Sequence, residues 1–205
     1  AVTAGSENGS EADVTVSVVG VASIDASGVL TRVAASTVTR TFSLVREEGQ
    51  WRINSPENMV LMSRASFTAS FSLANLYFPT TEGGDLVADP RWYPSRRLAS
   101  HLLGGLVAGP RQSLAPVTAN AIPAGTTVPS QGLDVVDGVA RVELNAVAPA
   151  TEGARANLAW ELTRTLTQVA DVSQVSISLS GDVLDVQGIP VPPTYSLDTL
   201  VGAGP

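Results

Sequence analysis

Apolar and polar positions alternate along the first fifty residues. Val14, Val16 and Val18 are separated by Thr15 and Ser17, the period of a half-buried strand. The pattern runs on through Val21 to Ile24, and Asp25-Ala-Ser-Gly28 follows as a turn with a glycine free to take positive φ. Val29 to Val33 returns as the partner strand. Val38 to Val45 alternates again, with Val38, Arg40, Phe42 and Leu44 on one face. Glu47-Glu48-Gly49 then turns into the short strand Trp51-Arg52-Ile53. The spacing predicts an antiparallel meander of about four strands, without a helix before Ser63. A bare sheet of this size exposes one face, so the next domain or residues upstream must cover it. Ser63 to Phe71 is expected as a short helix with Ser63 as its N-cap.

The rhythm then changes. Leu76-Tyr77-Phe78 reads as a buried strand ended by Pro79, Glu82 to Asp85 as a loop, and Leu86-Val87 as a short extension. From Ser95 to about Ala108, Leu98, Leu102, Leu103, Leu106 and Val107 form a helical stripe that Gly109-Pro110 stops. Leu133 to Val136 and Val139 to Leu144 flank Asp137-Gly138, a strong hairpin signal. A second helix is expected from Glu152 to Ala170, with Leu158, Leu162, Leu166 and Val169 at helical spacing. Val175, Ile177 and Leu179 alternate as a final strand. The expected fold class is α+β: an N-terminal antiparallel β-meander, then a β-α-β-β-α-β sandwich. From Gly188 the text GIPVPPTYSLDTLVGAGP lacks periodicity and reads as a linker.

Composition narrows the classes of function. Apolar residues make up 44% of the 205 and charged residues 15%, a globular balance. No apolar run approaches the ~20 residues of a membrane-spanning helix; Leu98 to Ala108 is too short and is interrupted by Gly104 and Gly105. The formal charge is −7 and every side-chain cation is arginine, so a nucleic-acid partner is not expected. Ala1 to Asp13 has neither the basic nor the apolar part of a leader, and the chain starts without methionine. The expectation is a piece of a longer protein.

Several strings carry a family resemblance. Gly49-Gln-Trp-Arg-Ile53, Asn75-Leu-Tyr-Phe78, Leu86-Val-Ala-Asp-Pro-Arg-Trp-Tyr-Pro94, Leu103 to Pro110 and Thr163 to Val175 resemble, in order and spacing, segments of the actinobacterial LpqB lipoproteins. Ala88 and Tyr93 depart from the more usual proline and leucine. The last two strings also resemble the GerMN module of germination and sporulation proteins. The resemblance implies a back part of an N-terminal α+β domain at 1–72, a GerMN domain at 73–188, and a linker toward an absent β-propeller at 189–205. The missing front part would supply the helices that the meander lacks. It further implies a lipid anchor outside this fragment and a place on the outer face of the cytoplasmic membrane. The implied partner is the ectodomain of a sensor histidine kinase of the MtrA–MtrB type, with effects on cell-wall homeostasis and division.

Candidate chemistry is sparse. There is no cysteine, so thiolate metal sites and cysteine nucleophiles are excluded, and the single histidine, His101, lies at the edge of a helix stripe. No G-x-S-x-G elbow presents a serine, and without lysine a phosphate-binding Walker loop is excluded. Asp85 and Asp89 lack the spacing of a calcium loop. Glu152 and Glu161 are nine residues apart on one helix, two and a half turns, and cannot flank one bond. The reading is therefore a non-enzymatic chain without a cofactor or metal. Binding features are better placed: Arg91, Trp92 and Tyr93, framed by Pro90 and Pro94, with Arg96 and Arg97 following, form the candidate interaction surface. Trp92 and Trp160 raise cell-wall glycan or peptide as the alternative ligand, although a core role for either ring is the simpler reading.

Overall fold

The computed structural model describes residues 1–7, 9–54, 60–190 and 193–203. It divides into two compact units, Ala1–Ala69 and Ser70–Pro205.

The first unit is one antiparallel sheet in the order β1-β2-β3-β4, made of Val2–Glu7, Glu11–Ile24, Leu30–Glu47 and Gln50–Ile53. The segments expected as two strands, Val29 to Val33 and Val38 to Val45, belong to the single 18-residue β3. The register shifts between Gly20↔Ser36 and Ala22↔Arg32, so β3 carries extra residues at 33–35. A bulge breaks the alternation without ending the strand, which is why the sequence looks interrupted there. β1 was not expected: its small polar residues pair with β2 by backbone alone, Val2 opposite Val16 and Thr3 opposite Thr15.

Pairing sorts the side chains by face. One face is a ladder of polar contacts: Thr15 Oγ1 and Thr41 Oγ1 are 2.9 Å apart, Ser17 and Thr39 3.1 Å, and Ser43 donates to Asp13 at 2.8 Å. The other carries Val14↔Phe42, Val18↔Val38 and Leu44↔Ile53. These side chains are half-buried or exposed, and among the described residues the buried hydrophobic core starts only at Ala74. α1 (Arg64–Ser70) follows, with Ser63 Oγ accepting from Ser66 N at 3.0 Å as the N-terminal cap.

The second unit is mixed α+β. β5 (Phe71–Pro79) and β6 (Leu86–Pro94) form a two-stranded antiparallel ribbon, Ala74 opposite Arg91 and Leu76 opposite Asp89. β6 carries the short extension expected at Leu86-Val87 on through Pro94, after the loop expected at Glu82 to Asp85. Its two prolines are tolerated because β6 lies at an edge, where a missing N–H breaks no ladder. α2 (Leu98–Ala108) follows, and β7 (Leu133–Val136) and β8 (Val139–Leu144) make the hairpin. Asp137 (φ 51°) and Gly138 (φ 79°) both take the positive φ of its two-residue turn. α3 (Glu152–Leu166) then crosses over to β9 (Gln174–Leu179), which pairs parallel to β8, and β10 (Asp182–Val183) completes a sheet ordered β10-β9-β8-β7.

α2 and α3 pack on the ribbon and on each other, around Leu76, Phe78, Leu102, Leu106, Leu158 and Leu162. The free edge of β5 is sealed by side chains of α3 and of the turn that follows it. Gln168 accepts from Asn75 N at 3.0 Å and donates to Asn75 O at 2.6 Å, and Thr165 Oγ1 accepts from Tyr77 N at 3.1 Å. Polar side chains thus satisfy the backbone groups that a further strand would have paired.

The segment expected as a linker packs into the unit instead. Ile189, Tyr195 and Leu200 are buried, Tyr195 bridges Val175 on β9, and α4 (Leu197–Ala203) lies against α3. Its apolar residues enter the core one at a time, with no repeating face for periodicity to reveal. Positions 191–192 and 204–205 of that expectation lie outside the described residues.

Candidate interaction site

The five residues expected as an interaction surface do not share an environment. Alternation along β6 turns Arg91 and Tyr93 inward, at 2% and 8% exposure, and leaves Trp92 half-buried on the opposite face beside the exposed Leu73. Arg91 and Tyr93 are therefore corrected from contact surface to core. Arg96 and Arg97 are exposed. They were expected in the first turn of the helix, but α2 begins only at Leu98, and Arg97 is its N-cap in the left-handed region, φ 58° and ψ 37°, with no side-chain cap. Both a non-glycine residue at positive φ and a cation at a helix N-terminus cost stability.

A buried ionic cluster lies on β6 at the other end of α2. Asp89, fully buried, receives Arg91 Nη2 at 2.7 Å and Nε at 3.1 Å on Oδ2. Arg111 Nε sits 2.7 Å from Oδ1, and Arg111 N donates to Oδ2 at 3.1 Å. Arg91 Nη2 also donates to Gly109 O at 2.7 Å, and Asn120 Nδ2 to Leu106 O at 2.9 Å. A guanidinium and an amide thus take carbonyls at the C-terminal end of α2, where the helix dipole favours positive charge. The Asp-Pro-Arg segment ties β6, the end of α2 and the loop after it together. Asp89 is committed to arginines, so the calcium option with Asp85 has no support in the geometry.

His101 stacks on Tyr93, ring centroids 6.2 Å apart and planes at 7°, a packing contact at the rim of the core. Arg164 lies 4.9 Å from the centre of the Tyr77 ring, a cation–π contact. Trp160 is half-buried and packs against the core cluster.

Of the two glutamates on α3, Glu152 is outward: it pairs with Arg155 at 2.5 Å and accepts from Gln187 N at 2.5 Å. The hydrogen bond from Gln187, and then that from Arg155, hold its carboxyl below the usual range. Glu161 is the opposite case. It is fully buried among leucines, and Ala121 N donates to its Oε2 at 2.8 Å. Burial pushes its carboxyl up to about 8, and the Ala121 bond offsets only part of that. Sequence reading treated it only as half of a failed carboxylate pair. The signal was available, since Glu161 falls three residues after Leu158, on the same side of the helix.

Two family descriptions match successive parts of the chain. Residues 1–68 match the lipoprotein LpqB N-terminal domain, and residues 75–185 match Germane, described as sporulation and spore germination. The chain belongs to the LpqB family. Its second unit carries the Germane domain. The chain is similar to lipoprotein LpqB of Cutibacterium acnes, 33% identical over 181 residues, 87% of this chain and 30% of that protein. It is also similar to lipoprotein LpqB of Thermobifida fusca, 28% identical over 160 residues, 72% of this chain and 24% of that one. The chain thus spans less than a third of these relatives' length. Among solved structures it is similar to the first GerMN domain of the sporulation protein GerM from Bacillus subtilis, with 24% identity and a TM-score of 0.47. That match covers 62% of this chain and 98% of the other. A lipoprotein from Clostridium perfringens is similar at 15% identity and a TM-score of 0.42, covering 68% and 94%.

Proposed function

We propose that this chain is a non-enzymatic interaction module of an extracytoplasmic, lipid-anchored LpqB protein. On this reading it serves as an accessory to the sensor kinase of a two-component system of the MtrA–MtrB type, acting on cell-wall homeostasis and division. Membership of the LpqB family supports the lipoprotein part of the reading.

The observation that carries the binding part is the β6–α2 turn. Two exposed arginines stand side by side, Arg97 in a left-handed conformation at a helix start that disfavours cations. Local backbone strain of this kind is a recurrent mark of a working surface. The turn is preorganised, so a partner would not have to order it on binding. Paired guanidiniums suit carboxylates on a partner protein.

The test is association of the intact lipoprotein with the purified kinase ectodomain. Saturable binding that weakens at least tenfold in Arg96→Glu/Arg97→Glu, with a melting temperature no lower than the parent's, supports the reading. Absence of association between the intact proteins removes it.

A further inference from the structure

An open cleft of about 600 Å³ lies in the second unit, between the β5–β6 loop and the start of α3. Thr80, Glu82, Val147 and Asn157 contribute to it, and one wall is the backbone of Ala119 to Ala121. That wall is tied down at three places. Ala119 N donates to Pro79 O at 2.8 Å, Asn120 is bound to the end of α2, and Ala121 N donates to Glu161 Oε2 at 2.8 Å. Glu161 is one helical turn beyond Asn157, on the core side of α3.

We propose that Glu161 is a proton-operated latch on the 119–121 wall of this cleft. Protonated, the neutral carboxyl packs in the core and holds Ala121 against α3. Ionised, it is a charge with one N–H partner in an apolar site, and that is relieved by admitting water. α3 cannot move to do so, because Leu158, Leu162 and Leu166 on either side are fully buried. The wall at 119–121, exposed at Ala119 and half-buried at Asn120 and Ala121, yields instead, and the cleft opens. The titratable groups on elements packed against α3 are Tyr77 on β5, His101 on α2 and Asp198 on α4, while α3 itself adds Glu152, Arg155 and Arg164. None of them contributes to the displacement of Glu161, which comes from burial opposed by the Ala121 bond, so the latch answers to one proton.

The experiment is NMR of this chain across pH 5 to 9.5, following the Glu161 carboxyl carbon, the Ala121 and Ile122 amides, and amide exchange. The expected result is one shared midpoint near 8 for the carboxyl and the Ala121 amide. Exchange at residues 119–121 should rise at least tenfold beyond its intrinsic pH dependence, with Leu162 still protected. Glu161→Gln should keep the fold and abolish both responses. A carboxyl midpoint in the ordinary glutamate range, the same amide titration in Glu161→Gln, or loss of Leu162 protection together with the wall would each overturn the latch. So would a carboxyl that titrates near 8 while the wall stays protected.

Discussion

Replacing Asp89 with asparagine tests what the buried cluster does. The side chain keeps its size and one acceptor oxygen, but the charge that neutralises Arg91 is gone. Arg91 is 2% exposed, so its guanidinium would stay out of water with only the Gly109 carbonyl and an amide to face, and Arg111 would lose its ion pair. Removing one partner of a buried pair costs about 3–5 kcal/mol, mostly the penalty of the stranded charge. A domain of this size holds about 5–15 kcal/mol in total, so Asp89→Asn should sit close to unfolding at 37 °C. Urea titration followed by tryptophan emission gives the number directly, from the shift of the midpoint at constant slope. The double change Asp89→Leu/Arg91→Met removes both charges together and should recover much of the loss. A cost below about 1 kcal/mol for Asp89→Asn, or a double variant as weak as the single one, would refute the reasoning.

Further predictions concern single sites. Glu161 gains its proton affinity on folding, so its contribution is full below about pH 4.5 and is lost progressively as pH rises to about 8. Glu161→Gln should therefore be more stable than the parent by about 3 kcal/mol at pH 7, the gap shrinking toward zero near pH 4.5; a gap that does not change with pH contradicts this. A Cβ at Gly105 would meet Tyr93 Oη at 2.2 Å and Leu76 Cδ1 at 2.8 Å, whereas one at Gly104 meets nothing within 4 Å. Calorimetry should show Gly105→Ala losing about 1–3 kcal/mol and Gly104→Ala gaining about 0.5–1 kcal/mol. Tyr195 is fully buried, so Tyr195→Ala should cost about 3–5 kcal/mol; a change under 0.5 kcal/mol would mean that the final segment is a spacer after all.

Much of the fold was legible because local chemistry decided it. Thr151 caps α3, Asp137-Gly138 makes its turn, and Val175, Ile177 and Leu179 alternate into the core as their spacing says. The failures share a physical cause: pairing across long separations carries no local signal. β1 is held by backbone bonds to β2, and the bulge in β3 hides a continuous strand. No strand is expected past Val87, because two prolines interrupt an alternation that in fact holds along β6. Its arginine is therefore a structural tie and not a hot spot. Arg96 and Arg97 remain the surface part of the candidate site. Glu161 was overlooked because a lone acid has no pattern until its surroundings are known.

Under the proposed function this chain works by presenting a rigid, cationic turn to a protein partner. Biolayer interferometry of the full-length lipoprotein against an immobilised kinase ectodomain addresses it most directly. The expected result is saturable binding that falls tenfold or more in Arg96→Glu/Arg97→Glu and survives Glu82→Gln. Binding indifferent to the two arginines, or no binding by the intact protein, would contradict it.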